Sequence, residues 1–212
     1  MFQALMNASG FFWSLAYLLI IWRGFKDQTY GMPLFALCAN LSWEFIFSFL
    51  YPPAAPQLYI NVAWLFLDVF IALEFLKFGR NEFPRLSPQQ FYACFVLVLL
   101  TAFGLVLLVS QEFHDFDGVY AAFGQNLVMS MLFVAMLLNR GNLRGQSASI
   151  AVLKLLGTAA ASLAFYLYKP VAQESILLPF LFASILGWDL LYAGLVYSFS
   201  RKTSGFGAST VP

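Results

Sequence analysis

The run FYACFVLVLLTAFGLVLLVS, from Phe91 to Ser110, holds 20 consecutive positions without a charged side chain. That is the length an α-helix needs to cross a bilayer core about 30 Å thick. Working outward, runs of the same kind return at 5–22, 33–51, 59–78, 119–139, 148–168 and 176–200. Between them stand Gly31-Met32-Pro33, Pro52-Pro53-Ala54-Ala55-Pro56, Pro84 with Pro88, Gly118, Gly141 with Gly145, and Lys169-Pro170, the residues that interrupt helices. The predicted fold is an all-α membrane protein, a single domain over 1–212 with seven transmembrane helices. Composition agrees. The chain is 61% hydrophobic and 10% charged, against roughly half and a quarter in soluble domains, so a soluble fold is excluded.

Charge and cysteine usage remove other classes. The net charge is +1 with no basic run, which leaves nothing to neutralise nucleic-acid phosphates. Cys38 and Cys94 lie in apolar segments without CxxC or Cys/His spacing and read as packing residues. No metal or cofactor is implied. The first apolar run has no basic residue ahead of it and is followed at once by Arg23, so it is expected to stay as a helix rather than be cleaved as a signal peptide. Of the 11 Lys and Arg residues, Arg23, Lys26, Lys77, Arg80, Arg85, Arg140, Arg144, Arg201 and Lys202 fall on one side of the alternating loops. Basic residues are retained in the cytoplasm. The expected topology therefore has the N-terminus outside or luminal and the C-terminus cytoplasmic, in a bacterial inner membrane or the endoplasmic reticulum.

Helices one to three share landmarks with helices five to seven: Arg23-Gly24 with Arg140-Gly141, Tyr51-Pro52 with Tyr168-Lys169-Pro170, and Trp64-x-x-x-Asp68 with Trp188-Asp189. Coincidence of helix ends accounts for this, or else a repeat does. The repeat gives a parallel 3+1+3 bundle with its site between the halves.

Charged groups within spans are expensive, about 2.5 to 3.5 kcal/mol each at mid-helix, and mark function or pairing. Here they are Glu44, Asp68, Glu74, Lys154 and Asp189. From the outer helix ends, Glu44 lies about 10 Å deep and Asp68 about 13 Å, while Lys154 and Asp189 both come out near 20 Å. Pro179 is expected to delay the last helix and raise Asp189 toward the other two. Glu74 is expected to be solvated near the cytoplasmic surface. Residues three and four apart share a helix face, so Asn40 can hold the Glu44 carboxyl, and the Trp64 indole in the stripe Asn61, Trp64, Asp68 can donate to Asp68. Trp188 and Tyr192 flank Asp189, and Gln125, Asn126 and Ser130 add polarity to the fifth helix. These groups read as the lining of one chamber. Two other readings stay open: Lys154 with Asp189 as a structural ion pair, and Asp68 with Trp64 as a helix clamp. The near miss to a DxDD acid motif at Asp115-Phe116-Asp117-Gly118 reads as a solvated loop.

Aromatic residues make up 19% of the chain. Trp22, Tyr51, Tyr59 and Tyr168 suit interfacial belts, while rings beside buried acids stabilise cations by up to about 2 kcal/mol when desolvated. The segments Gly31 to Phe45, with Asn40-x-x-Trp43-Glu44 at its core, then Trp64-Leu65-Phe66-Leu67-Asp68 and Gly187-Trp188-Asp189, resemble the Pax/Pyr-type integral-membrane terpene cyclases of meroterpenoid and indole-terpenoid synthesis. The resemblance implies that Glu44 and Asp189 serve the proton transfer that starts cyclisation, with Asp68 matching the third-helix acid. A carboxyl group away from water favours its neutral form, the state a proton donor needs. On this reading Glu44 donates to an epoxide or terminal alkene of a prenylated substrate, oriented by Asn40. Asp189 is a partner acid or relay, and Asp68 completes the network. Trp43, Trp64, Trp188 and Tyr192 stabilise the cation, with Asn61 and Gln125 lining the pocket. The alternative is a small-solute transporter of 3+1+3 architecture. The expected partners are a hydrophobic prenylated small molecule and the bilayer.

Overall fold

A computed structural model of the chain describes residues 1–206, with side chains through Arg201; Lys202 and the C-terminal tail lie outside the described side chains. The helices are α1 (Phe2–Asp27), α2 (Leu34–Phe45), α3 (Gln57–Phe78), α4 (Pro88–Glu112), α5 (Val119–Arg140), α6 (Ala148–Tyr168), a short α7 (Pro170–Gln173) and α8 (Leu177–Phe206). Six are long and apolar enough to cross a membrane, and α2 with its extension to Leu50 adds a shorter apolar segment. The protein is a multi-pass membrane protein. Among the described residues there is no strand.

Helix ends follow local chemistry. Ser87 and Gln90 form a reciprocal capping box at the start of α4, with Pro88 at its first position, so this helix begins before its apolar run. Arg23 pairs with Asp27 at 2.7 Å, one turn apart, and Lys26 sits 4.7 Å from the Trp22 ring centroid, which carries α1 beyond the hydrocarbon. Pro179 stands in the first turn of α8, where its missing N–H leaves no bond unmade. It therefore does not delay the helix.

Helix α1 packs on α3 and α2 on α3; α5 packs on α8 and α6 on α8; across the halves, α1 meets α6 and α2 meets α5. Exchanging the first three spans with the last three maps this set of pairings onto itself, as a parallel repeat requires. Helix α4 packs mainly on α2.

The end rich in Arg is tied by a polar network. Arg140 Nε donates to Glu82 at 3.0 Å while its guanidinium lies 4.1 Å from the Tyr30 ring centroid. Thr29 donates to the same Glu82 carboxylate. The Gly145 N–H donates to Asp27 at 2.9 Å. Glu74 is fully buried here and not solvated as expected: it accepts the Gly31 N–H at 2.5 Å and lies so close to Gly24 that a Cβ there would fall about 2.0 Å from the carboxyl carbon.

The 113–118 loop lies at the opposite end. Asp115 is buried there, against the expectation of a solvated loop, because it accepts the N–H groups of Val119, Tyr120 and Ala121 at 2.7, 2.7 and 3.2 Å. These are the otherwise unpaired donors of the first turn of α5. Burial pushes its carboxyl above the usual range, and the three backbone donors oppose that shift. Gly118 has φ 72°, and a Cβ there would sit 2.6 Å from the Phe47 ring; its carbonyl accepts the Trp43 indole N–H at 3.0 Å. Replacing Asp115 with Ala should lower stability by about 1–2 kcal/mol, read as a lower melting temperature in detergent. Asp115→Asn, which keeps an acceptor and loses the buried charge, should lose less.

Candidate active site

A cavity of about 390 Å3 opens at the end of the bundle that holds the 113–118 loop and narrows inward between the two halves. Along α1 it reaches from Phe2 to Tyr17, about 22 Å of helix rise. Gln3, Gln57, Asp117 and Lys169 stand at its mouth. Its deeper wall is built from Trp13 and Tyr17 of α1, Asn40, Trp43 and Glu44 of α2, and Asn61 and Trp64 of α3. Gln125 and Asn126 of α5 and Thr158 of α6 close the other side.

Position 46 begins a π turn, Ile46–Leu50, immediately after the Glu44 turn of α2. Widened turns of this kind free backbone carbonyls and recur at functional sites. Asn61, fully buried, donates to the Phe47 carbonyl at 3.1 Å and accepts from Gln57 at 2.8 Å. That side chain clamps α3 to the widened turn and completes the wall beside Glu44.

Glu44 is 4% exposed, and its Oε2 is buried without a hydrogen-bond partner. Asn40, one turn earlier, does not hold it. The Asn40 amide instead donates to the Tyr17 hydroxyl oxygen at 2.5 Å and accepts from Gln125 at 3.4 Å. A chain Gln125, Asn40, Tyr17 thus crosses the cavity from α5 to α1. Asp68 stands behind this wall, fully buried, with neither oxygen hydrogen-bonded. Trp64 does not serve it: its indole N–H donates to Ser14 Oγ at 3.0 Å, because the ring lies toward α1. Among the described residues no cation pairs with either acid.

Asp189 is placed elsewhere. It pairs with Lys154 at 2.6 Å, both side chains being 1% exposed, and Lys154 Nζ also meets Ser130 Oγ at 2.6 Å. Lys154 Nζ lies 5.7 Å from the Trp13 ring centroid, so the ion pair sits behind a ring whose other neighbour is the cavity. The open ion-pair reading of the sequence is the arrangement found. Trp188, half-buried, does not line the cavity, and the Tyr192 hydroxyl donates to Gln146 at 3.0 Å, toward the Arg-rich end. Of the sequence-derived site residues, the structure gathers Glu44, Asn40, Trp43, Asn61, Trp64 and Gln125 around one hollow, with Asp68 behind them. It sets Asp189, Trp188 and Tyr192 apart. Sequence reasoning missed Trp13, Tyr17 and Thr158. Trp13 and Tyr17 are four residues apart on one face of α1, a signal indistinguishable from ordinary aromatic packing in a membrane helix.

The family model for Pyr4-like transmembrane terpene cyclases matches residues 1–203. The chain is 30% identical to the Pyr4-family terpene cyclase mfmH of Annulohypoxylon moriforme, over 94% of this chain and 87% of the relative. It is 30% identical to the terpene cyclase macJ of Penicillium terrestre, over 92% and 80%, and 31% identical to the terpene cyclase pyr4 of Aspergillus fumigatus, over 71% and 64%. No solved structure matches. None of these findings supports the transporter alternative.

The Lys154–Asp189 geometry sets a stability test. Lys154→Met strands a buried carboxylate and should cost about 3–5 kcal/mol, whereas Lys154→Met with Asp189→Leu should regain most of the loss. Thermal unfolding of the purified variants reads both; a single variant as stable as the parent would deny the pair its structural role.

Proposed function

The chain belongs to the Pyr4-like transmembrane terpene cyclases and is a membrane-embedded terpene cyclase acting on a hydrophobic terpenoid, and from that premise we propose that Glu44 starts the reaction on a prenylated aromatic or meroterpenoid substrate. The observation that carries this is the pair Glu44 and Asp68: Glu44 lines the cavity, and both acids lack a cation or hydrogen-bond partner to hold them ionised. Glu44 gives its proton to the oxygen of a terminal epoxide or to a terminal alkene carbon. The C–O bond opens, or the π bond is consumed, and a tertiary cation forms. Successive alkenes of the folded chain attack it, each making one carbon–carbon bond and moving the cation along. Loss of a proton to a carboxylate ends the sequence, so product and substrate are isomers. Asp68 shares its charge burden with Glu44 and can return the proton.

The remaining residues hold this arrangement. Tyr17 and Asn40 are positioning residues that fix one another across the α1–α2 contact beside the acid. The Trp43 and Trp64 indoles have their N–H groups anchored on Gly118 and Ser14, which fixes each ring against the cavity, where its face stabilises positive charge. Asn61 and Gln125 set the wall. Asp189, with Lys154, is a positioning pair that braces α6 against α8 behind Trp13, and Trp188 and Tyr192 pack beside it. The gathering of Arg and Lys at the closed end favours that end as cytoplasmic. The mouth then faces the lumen or exterior, with the N-terminus on the same side.

Glu44→Gln is nearly isosteric and removes the proton. Membranes holding this variant, incubated with a prenylated aromatic substrate with or without a terminal epoxide, should form less than about 1% of the parent's isomeric product, a loss comparable to removing a general acid. Normal turnover by folded Glu44→Gln would remove Glu44 from the donor role.

A further inference from the structure

A second hollow, of about 410 Å3, lies between α6 and α8. It exists because the facing side chains are small: Ala159 and Ser162 on α6, and Ala183 on α8. Leu163, Tyr166 and Leu186 are exposed around it. All of these positions fall inside spanning helices, so the groove opens to hydrocarbon rather than to water. Its inner end is Asp189, a residue only 1% exposed; it is a cleft that enters the bundle, not a corrugation of its surface.

The cleft and the reaction cavity share a wall one side chain thick. Thr158 lines both hollows, and its hydroxyl accepts from the cavity residue Asn126 at 3.1 Å. Beside it, Phe182 lines the cleft and meets the Phe123 ring edge to face with centroids 4.5 Å apart. Phe123 lines the cavity, and Phe165, 5.7 Å from it, does too. At these points side chains alone separate the two spaces, and side chains change rotamer without any helix having to move.

The substrate's own physics says what the cleft is for. An isoprenoid chain dissolves in the bilayer, and withdrawing it into water is unfavourable by about 0.8 kcal/mol per methylene. The mouth, flanked by Gln3, Asp117 and Lys169, would force the whole chain through that aqueous boundary. Passage between α6 and α8 would not. Resting on the cyclase reading above, we infer that the α6–α8 cleft is a binding site for the isoprenoid chain and passes it sideways into the reaction cavity past Thr158 and Phe182, while the polar head of the substrate travels at the mouth.

The test fills the cleft with residues that do not line the cavity. Ala183→Trp and Ser162→Phe should each lower kcat/KM for a prenylated aromatic substrate in lipid nanodiscs by about tenfold with kcat at saturation little changed, the signature of impeded binding rather than impaired chemistry. Leu97→Trp, on the exposed face of α4, should behave as the parent does. A farnesyl probe bearing a diazirine should label segments 155–166 and 179–189, and Ala183→Trp should abolish that labelling. This second readout needs no turnover. Unchanged kcat/KM in either folded variant, or labelling spread over all lipid-facing helices as for an ordinary acyl chain, would overturn the inference. A parent that labels in the cleft yet forms no cyclised isomer would instead defeat the cyclase reading of the site and leave the cleft standing.

Discussion

Every polar atom inside this bundle must find its partner among the helices, because hydrocarbon offers none. The protein treats its buried charged groups in two opposite ways. Lys154 Nζ donates to Ser130 Oγ and to Asp189 Oδ1, each at 2.6 Å, and makes a compact polar joint between α5, α6 and α8. Glu44 and Asp68 are each buried with no cation and no hydrogen-bond donor. The first arrangement holds a structure. The second leaves carboxyl groups unpartnered in the bundle interior, an expensive arrangement that inside a membrane marks function.

The expense is tolerable because the ends of the bundle are tied firmly. At one end Glu82 collects Thr29 and Arg140, and the 113–118 loop at the other is held by Asp115 on α5 and by Trp43 on Gly118. The π turn after Glu44 follows the same logic. It releases a carbonyl, which Asn61 takes up, so the local irregularity is satisfied within the protein rather than exposed to lipid.

Much of this was legible in the sequence, and the division between what was and was not has a physical basis. Apolar run length sets spans because bilayer thickness is fixed, so each apolar run coincides with a helix, though α1 and α8 continue five and six residues past the ends of theirs, at 22 and 200. Glu44 and Asp68 stood out because charge in hydrocarbon has no neutral explanation. What spacing along one helix could not give was the partner on another. The Asn40 amide was expected on Glu44 and is on Tyr17; the Trp64 indole was expected on Asp68 and is on Ser14. Both partners lie on α1, whose facing residues carry no charge and so no mark. Glu74 and Asp115 misled for the converse reason: position near a helix end suggested solvent, yet backbone N–H groups of another segment or of the next helix claimed them.

Trp13 joins the two polar systems. Its ring lines the cavity on one side and lies 5.7 Å from Lys154 Nζ on the other. It can do so only because α6 presents Gly157 beneath it, where a Cβ would stand 2.7 Å from the indole Cδ1. A side chain at 157 would drive the ring into the cavity and shrink the space for a folded isoprenoid. It would also draw the indole off the Lys154–Asp189 pair. The missing methyl group at Gly157 thus leaves room for the Trp13 ring between the cavity and the buried ion pair. On the proposed function, this is the route by which Asp189 would influence the reaction without touching it.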